Sequence, residues 1–150
     1  MAMKIRTISV AVSAPSETVY NFLADIENFP KWARGYCECL ELRRNGWLAY
    51  TTQGEMIVEL ESDDGTGVID IRLGASADKL NVFPLRVWQR SRDETVVSFT
   101  FSDLPELSEE DHERHFQSWL IDLQGFSWRF GGGEIHLPGW EGRLEGVGLN

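Results

Sequence analysis

The sequence predicts an α+β domain in which one antiparallel sheet is covered by helices. Three observations predict it: an opening strand runs into a helix, residues 36–102 alternate apolar and polar side chains between turn signals, and one long amphipathic helix follows. The chain has 150 residues, of which 42% are hydrophobic. That is enough for a single domain that buries a core without disulfide or metal support.

Composition and charge exclude several classes of protein. The chain has 14 Lys and Arg residues against 24 Asp and Glu residues, a net charge of −10. A surface that neutralises phosphates needs the opposite charge, so we expect no nucleic-acid partner and no binding to anionic membrane surfaces. No apolar run reaches the roughly 18 residues of a membrane span, so we expect no integral membrane segment.

The cysteines and the N-terminus indicate a cytoplasmic protein. Cys37 and Cys39 would point to the same face of a strand, where disulfide geometry is hard to reach, so we expect two reduced thiols. Basic residues ahead of an apolar stretch resemble a secretory signal peptide at the N-terminus. The apolar residues alternate with polar ones over residues 8–12, however, which is typical of a strand.

A helix is expected directly after this first strand. Pro15 suits a first helical turn, and Glu17 lies near the positive end of the helix dipole. Residues 28–30 are expected to end the helix because they contain a proline. Helical spacing gives it one apolar stripe, formed by Val19, Phe22, Leu23 and Ile26.

Turn signals predict a meander of six further strands and its register. Two-residue turns are expected at Asn45-Gly46, Gln53-Gly54 and Asp64-Gly65, and a three-residue loop over residues 92–94. These turns place the apolar residues of all six strands on one face, and a one-residue slip would scramble that face. The expected pairs include Leu42 with Ala49, Ala49 with Val58, Val58 with Ile71 and Val87 with Phe99. The solvated face is expected to carry Glu41, Tyr50, Ile57, Glu59, Asp70, Arg72, Arg86, Trp88 and Arg90.

The final helix is expected to begin at Ser108 and to end at the glycines of residues 131–133. Ser108 is a good N-cap, and acidic residues fill the first turn. Its apolar stripe comprises Phe116, Trp119, Leu120, Leu123 and Phe130. We expect residues 1–133 to form the domain and residues 134–150 a Gly-rich tail that can pack on it, with a short extended piece at residues 135–137.

This order of elements resembles the helix-grip fold of the START-like (SRPBCC) superfamily, in particular the bacterial polyketide cyclase/dehydrase and lipid-transport group. The resemblance implies a curved seven-stranded antiparallel sheet wrapped around the long C-terminal helix, with two short helices after strand 1. It also implies an apolar cavity between sheet and helix, and it implies no single activity, since relatives include carriers, sensors, cyclases and chaperone-activating modules. The matches cover about residues 4–130 and include Ala14-Pro15, Val19-Tyr20, Asp25, Pro30, Trp32, Glu94-Thr95 and Ser108-Glu109-Glu110.

The inward face of this sheet predicts a site for a small hydrophobic molecule, such as a lipid, a quinone, a polyketide or an aromatic compound. Apolar pockets with a few polar groups usually bind such molecules, and the inward positions carry almost no charge. A filled core is the alternative interpretation of the same residues. The expected lining residues are Leu40, Trp47, Thr51, Met56, Val58, Ile69, Ile71, Val87, Gln89, Phe99, Phe101, Phe116, Leu120 and Leu123.

An enzyme of the cyclase or dehydratase type, working with acid and base residues in the same cavity, is the alternative function. Tyr36 and Glu38 share the inward parity of Leu40 and are expected at the cavity mouth. Glu38 can equally face solvent or pair with Arg34. The candidate catalytic residues are Glu38, Tyr36, His112 and His115.

No metal and no cofactor are expected. His112 and His115 are three residues apart, one short of the His-Glu-x-x-His zinc helix, and neither they nor His136 have an evident third ligand. A protein-interaction module is a further alternative, because outward aromatic residues can mark a partner surface or a homodimer interface. Those residues are Tyr50 and Trp88 on the sheet and Trp128 and Trp140 near the tail.

Overall fold

The structure, a computed structural model, describes residues 5–102, 108–132 and 135–136. One curved antiparallel sheet has the strand order β2-β3-β4-β5-β6-β7-β1-β8, and a long helix packs on its inward face. This confirms the predicted α+β architecture. The elements are β1 (Ile5–Val12), α1 (Ser16–Ala24), a 3₁₀ turn (Ile26–Asn28), α2 (Phe29–Trp32), β2 (Cys37–Arg43), β3 (Gly46–Thr51), β4 (Gly54–Asp63), β5 (Val68–Gly74), β6 (Asn81–Ser91), β7 (Glu94–Ser102), α3 (Glu109–Arg129) and β8 (Ile135–His136).

Apart from Cys37 and Glu38 at the start of β2, the predicted faces of the strands are confirmed, although every predicted register is displaced by two residues. Ala49 lies opposite Met56 instead of Val58, and Val58 lies opposite Leu73. An even displacement leaves each side chain on its predicted face, because successive residues of a strand alternate. The remaining corrected pairs are Leu42 with Trp47, Leu40 with Ala49, Leu60 with Ile71, Val87 with Val97 and Leu85 with Phe99.

Backbone conformation explains why two of the turns lie one residue earlier than predicted. A tight turn at Asn45-Gly46 would need a positive φ at both residues, and no non-glycine residue of the described chain has one. Gly46 instead has φ 125° and opens β3, so that Arg44 and Asn45 form the turn. Gly54 does the same at the start of β4 with φ 99°.

The two remaining hairpins also differ from the predicted loops. The β4–β5 loop takes four residues, since Asp63 pairs with Val68. The β6–β7 turn takes two, since Ser91 pairs with Glu94, and a bulge between Gln89 and Ser91 absorbs the extra residue.

The core lies between the sheet and α3. The buried apolar residues include Ile8, Val10 and Val12 of β1, and Leu120, Leu123 and Phe126 face them from α3. Cross-strand ion pairs cover the opposite face of the sheet, such as Arg86 Nη1 to Asp70 Oδ1 at 2.8 Å. The sheet is thus apolar inside and charged outside, as predicted.

The helix ends agree with the sequence signals. Ser108 Oγ accepts a hydrogen bond from Asp111 N at 3.1 Å, which caps α3. Gly131 has φ 74° just past its end. One expectation for the first helical region is wrong: Phe29 and Pro30 do not only end the preceding helix but begin α2, because proline fits a first helical turn. Ile135 and His136 pair with β1 as the short strand β8, and Leu137 lies outside the described residues.

Candidate functional site

A cavity of about 650 Å³ lies between the sheet and the first half of α3. Its volume is within the roughly 300–1,000 Å³ range of small-molecule sites. The sheet contributes strand residues and its β3–β4 and β5–β6 connections, the segment before β2 contributes Tyr36, and α3 contributes residues from its first half. The lining residues are Tyr36, Thr52, Gln53, Met56, Leu73, Gly74, Ala75, Lys79, Asn81, Phe83, Asp111, Arg114, His115 and Ser118.

The apolar part of the cavity comes from the inward faces of three neighbouring strands. Met56, Leu73 and Phe83 lie on β4, β5 and β6, at positions that alternation turns toward α3. Phe83 also stacks on Phe99 and Phe101 of β7, with ring centroids 6.3 and 6.0 Å apart. Phe83 is therefore part of a row of stacked rings across β6 and β7.

Tyr36 is the most buried polar residue of the lining. Its side chain is 3% exposed, and its hydroxyl donates a hydrogen bond to Gln53 Oε1 at 2.9 Å. Burial raises the pKa of Tyr36 to about 12, because the charged phenolate would lose its hydration. At neutral pH this group is a protonated hydrogen-bond donor at the cavity wall.

His115 lies on α3, with its ring next to that of Tyr36. The two ring centroids are 6.0 Å apart in an edge-to-face arrangement. Partial burial lowers the pKa of His115, although the nearby Asp111 carboxylate opposes that shift. The imidazole is therefore mainly neutral at pH 7 and can accept a proton.

The buried carboxylate of Asp122 on α3 binds the segment that contains Tyr36. Gly35 N donates to Asp122 Oδ1 at 2.8 Å. Asp122 is 6% exposed, and burial raises its pKa from 3.8 to about 6. Gly35 packs so closely on α3 that a Cβ would lie 2.9 Å from the same oxygen and 3.2 Å from Ser118 Oγ.

An aromatic cluster fills the space next to the cavity. We define it as Phe29, Trp32, Tyr36, Phe99 and Trp119, with Trp119 at its centre. The Trp119 ring centroid is 4.7 Å from that of Phe99 and 4.9 Å from that of Tyr36. Large side chains from α2, α3 and the sheet thus pack together beside the cavity, and Tyr36 belongs to both the cluster and the cavity lining.

The structure distributes the predicted lining residues over three environments. Met56 lines the cavity. Two polar residues hold turns: the exposed Gln89 donates from its amide to carbonyls of the β6–β7 turn, and Thr51 forms hydrogen bonds within the β3–β4 turn. Leu40 and Trp47 are half-buried against the core. Which residues contact a ligand stays a prediction. The others are buried in the core: Val58, Ile69, Ile71, Val87, Phe99, Phe101, Phe116, Leu120 and Leu123.

The four candidate catalytic residues also separate. Tyr36 and His115 line the cavity, and His112 is half-buried outside that lining. Glu38 is exposed on the outer side, because an irregularity between Cys37 and Cys39 reverses the expected alternation. The same irregularity buries Cys37 and exposes Cys39, so the expectation that they share a face is wrong, although both are free.

Several lining residues are missing from the predicted set. Leu73 and Phe83 share the inward parity of Ile71 and Leu85, so strand alternation was a sufficient signal for them. Lys79 and Asn81 flank the end of the β5–β6 loop, and no local pattern marks such positions.

The outward aromatic residues do not form one surface. Tyr50 and Trp88 lie on β3 and β6, three strands apart, which is roughly 14 Å. The Tyr50 hydroxyl donates to Glu41, and Trp128 is exposed on α3. Trp140 lies outside the described residues, and a homodimer stays a prediction.

The described residues contain neither a metal-binding cluster nor a membrane-spanning helix. No three His, Cys, Asp or Glu side chains of the described chain cluster as metal ligands would. None of the described helices is both long enough and apolar enough to cross a bilayer.

The chain matches no protein-family model and no curated protein sequence. Its fold is similar to that of XoxI from Bacillus cereus (TM-score 0.65, 17% identity, covering 87% of this chain and 96% of that one). It is also similar to the Zhui aromatase/cyclase from Streptomyces sp. R1128 (0.64, 16%, 85% and 95%) and to a START superfamily protein from Mycobacterium smegmatis (0.55, 16%, 85% and 97%). The chain therefore has the helix-grip fold that the order of its elements predicts.

Proposed function

We propose that this protein binds a small hydrophobic molecule, such as a lipid, a quinone, a polyketide or an aromatic compound, between the sheet and α3. The 650 Å³ cavity carries the proposal. Its walls at Met56, Leu73 and Phe83 are apolar, and transfer of an apolar ligand from water onto them is favourable. The similarity in fold to an aromatase/cyclase and to a START superfamily protein supports the same function.

Filling the cavity tests this function. N-phenyl-1-naphthylamine is an uncharged probe whose fluorescence rises in apolar surroundings, and we expect saturable binding to the wild-type protein. Met56→Trp places a large ring in the cavity and should lower probe affinity by about tenfold or more. Val82→Trp adds the same ring to an exposed position of β6 and is the matched control. Equal affinity in all three proteins, or no saturable binding to the wild type, would contradict the proposal.

A cyclase or dehydratase is the second candidate function, favoured by one observation. A protonated phenol (Tyr36) and a neutral imidazole (His115) face the same cavity with ring centroids 6.0 Å apart. A hydrogen-bond donor and a proton acceptor so placed can remove one proton from a ligand and stabilise the oxygen on which charge develops.

Native mass spectrometry of molecules that copurify with the protein separates the two candidates. An enzyme of this type should hold substrate in Tyr36→Phe or His115→Gln and a product lighter by one water in the wild type. A carrier should hold the same molecule in all three proteins. His112→Gln is the control, since His112 does not line the cavity.

A further inference from the structure

The polar part of the cavity lining, which we call the mouth and define as Tyr36, Gln53, Lys79, Asn81, Asp111 and Arg114, is rich in hydrogen-bond donors. The Tyr36 hydroxyl donates to Gln53 Oε1. The amide nitrogen of the same side chain is a donor that has no acceptor among the described residues. Asn81 supplies a second amide, and Lys79 and Arg114 supply charged donors. A ligand that satisfies these groups must itself be rich in acceptor atoms.

Close backbone packing holds Lys79 at this mouth. Its carbonyl oxygen is so near Gly74 that a Cβ on Gly74 would come within 2.2 Å of it, so the β5–β6 loop folds tightly back on β5. Within the loop, Lys79 N donates to Ser76 O at 3.1 Å, and Ser76 Oγ donates to Asp78 Oδ1 at 2.8 Å. Lys79 forms no ion pair with any described residue, so its charge is available to a ligand.

Arg114 adds a second positive charge, which it shares with two carboxylates. Its guanidinium nitrogens lie 3.5 Å from Glu110 Oε1 and from Asp111 Oδ1, and such exposed pairs are weak. Of the charged lining residues, Lys79 and Arg114 are positive and Asp111 is negative. The two carboxylates beside Arg114 therefore balance its charge, and Lys79 is the lining cation that forms no ion pair with any described residue.

We propose that the ligand of this cavity is an amphipathic anion, a carboxylate or a phosphate monoester, whose acidic group lies at Lys79. Its apolar body would contact Met56, Leu73 and Phe83. The inference rests on the proposed function, because it names the class of ligand for the same cavity. A charged acceptor forms stronger hydrogen bonds with an ammonium group than a neutral one does, and a cationic amphipath would be repelled.

Displacement of bound N-phenyl-1-naphthylamine by four decyl compounds at pH 8 tests the inference. Decanoate and decyl phosphate carry an anionic group, decanol is neutral, and decyltrimethylammonium is cationic. In the wild type we expect at least one of the two anions to bind about tenfold more tightly than decanol, and the cation to bind most weakly. The order of decanoate and decyl phosphate identifies the preferred acidic group.

Two lysine variants make the test specific. Lys79→Gln should lower the affinity for the preferred anion by about tenfold and leave decanol unchanged. Lys31→Gln removes a charge from an exposed position of α2 that does not line the cavity, and it should change neither affinity. Decanol binding as tightly as both anions, or unchanged anion affinity in Lys79→Gln, would overturn the anionic ligand while leaving a hydrophobic site. Absence of both probe and decanol binding would instead overturn the proposed function itself.

Discussion

Asp122 shows how a single buried side chain positions the site. Its Oδ1 holds the backbone of Gly35, directly before Tyr36, and its Oδ2 is buried without a hydrogen-bond partner among the described residues. An ionised carboxylate in this place loses hydration that the backbone N–H groups of Gly35 and Tyr36 do not replace. Asp122 thus anchors the loop at a cost in free energy once it is ionised.

The stability of the protein should therefore depend on pH through Asp122. The folded pKa of Asp122 is about 6, above the ordinary value of 3.8. The contribution of the protonated carboxyl to the free energy of unfolding is therefore fully present below pH 3.8 and is lost as the pH rises through 6. Asn at position 122 resembles the neutral acid. From low to neutral pH, the free energy of unfolding of Asp122→Asn should therefore rise by on the order of 2 kcal/mol relative to that of the wild type. Urea unfolding at a series of pH values measures this difference.

Asp93→Asn removes an exposed carboxylate from the β6–β7 turn and gives the baseline for that comparison. If the difference between Asp122→Asn and wild type is the same at pH 4 and pH 7, Asp122 is not the group responsible.

At the scale of elements, two glycines near one face of α3 differ in the space around them. Gly125 lies in the helix, and outside the helix's own backbone no atom lies within 4 Å of where its Cβ would be. Gly35 packs against the helix one turn earlier, where a Cβ would touch Asp122 and Ser118. The same substitution is thus expected to have opposite effects at these two glycines.

Gly125→Ala should raise the free energy of unfolding by about 0.5–1 kcal/mol, because alanine restricts the unfolded chain and favours the helix. Gly35→Ala should lower it by about 1–3 kcal/mol through overpacking against α3. Denaturant titration of both variants measures these changes. A stabilised Gly35→Ala would show that the loop can move away from α3 at little cost.

At the scale of the whole molecule, the space between sheet and α3 is divided into a packed part and a hollow part. The aromatic cluster around Trp119 occupies the first, and the cavity lies beside it toward the start of α3. The packed part contributes to the stability of the fold, and the hollow part is the site of the proposed ligand binding.

Two tryptophans on the same helix test this division. Trp119 is 1% exposed, and Trp119→Ala should lower the free energy of unfolding by about 3–5 kcal/mol. Trp128 is 63% exposed, and Trp128→Ala should change it by less than about 0.5 kcal/mol. Thermal or denaturant unfolding compares them directly. Comparable losses in both variants would mean that Trp128 is covered in solution.

The order of the elements and the inward face of each strand could be predicted from the sequence, because both follow from local periodicity. Ala49, Val58 and Ile71 lie inward whichever register the turns adopt, since displacement by two residues preserves alternation. The Ser108 cap is likewise encoded within a few residues of chain.

Only the tertiary structure decided which inward residues are packed and which border a cavity. Val58 and Met56 are two residues apart on one face, yet Val58 is buried in the core and Met56 lines the cavity. The difference depends on which part of the chain packs over each position, and that is set by contacts between residues far apart in the chain. The burial of Asp122 and the placement of Lys79 at the mouth have the same origin, because neither position carries a local pattern.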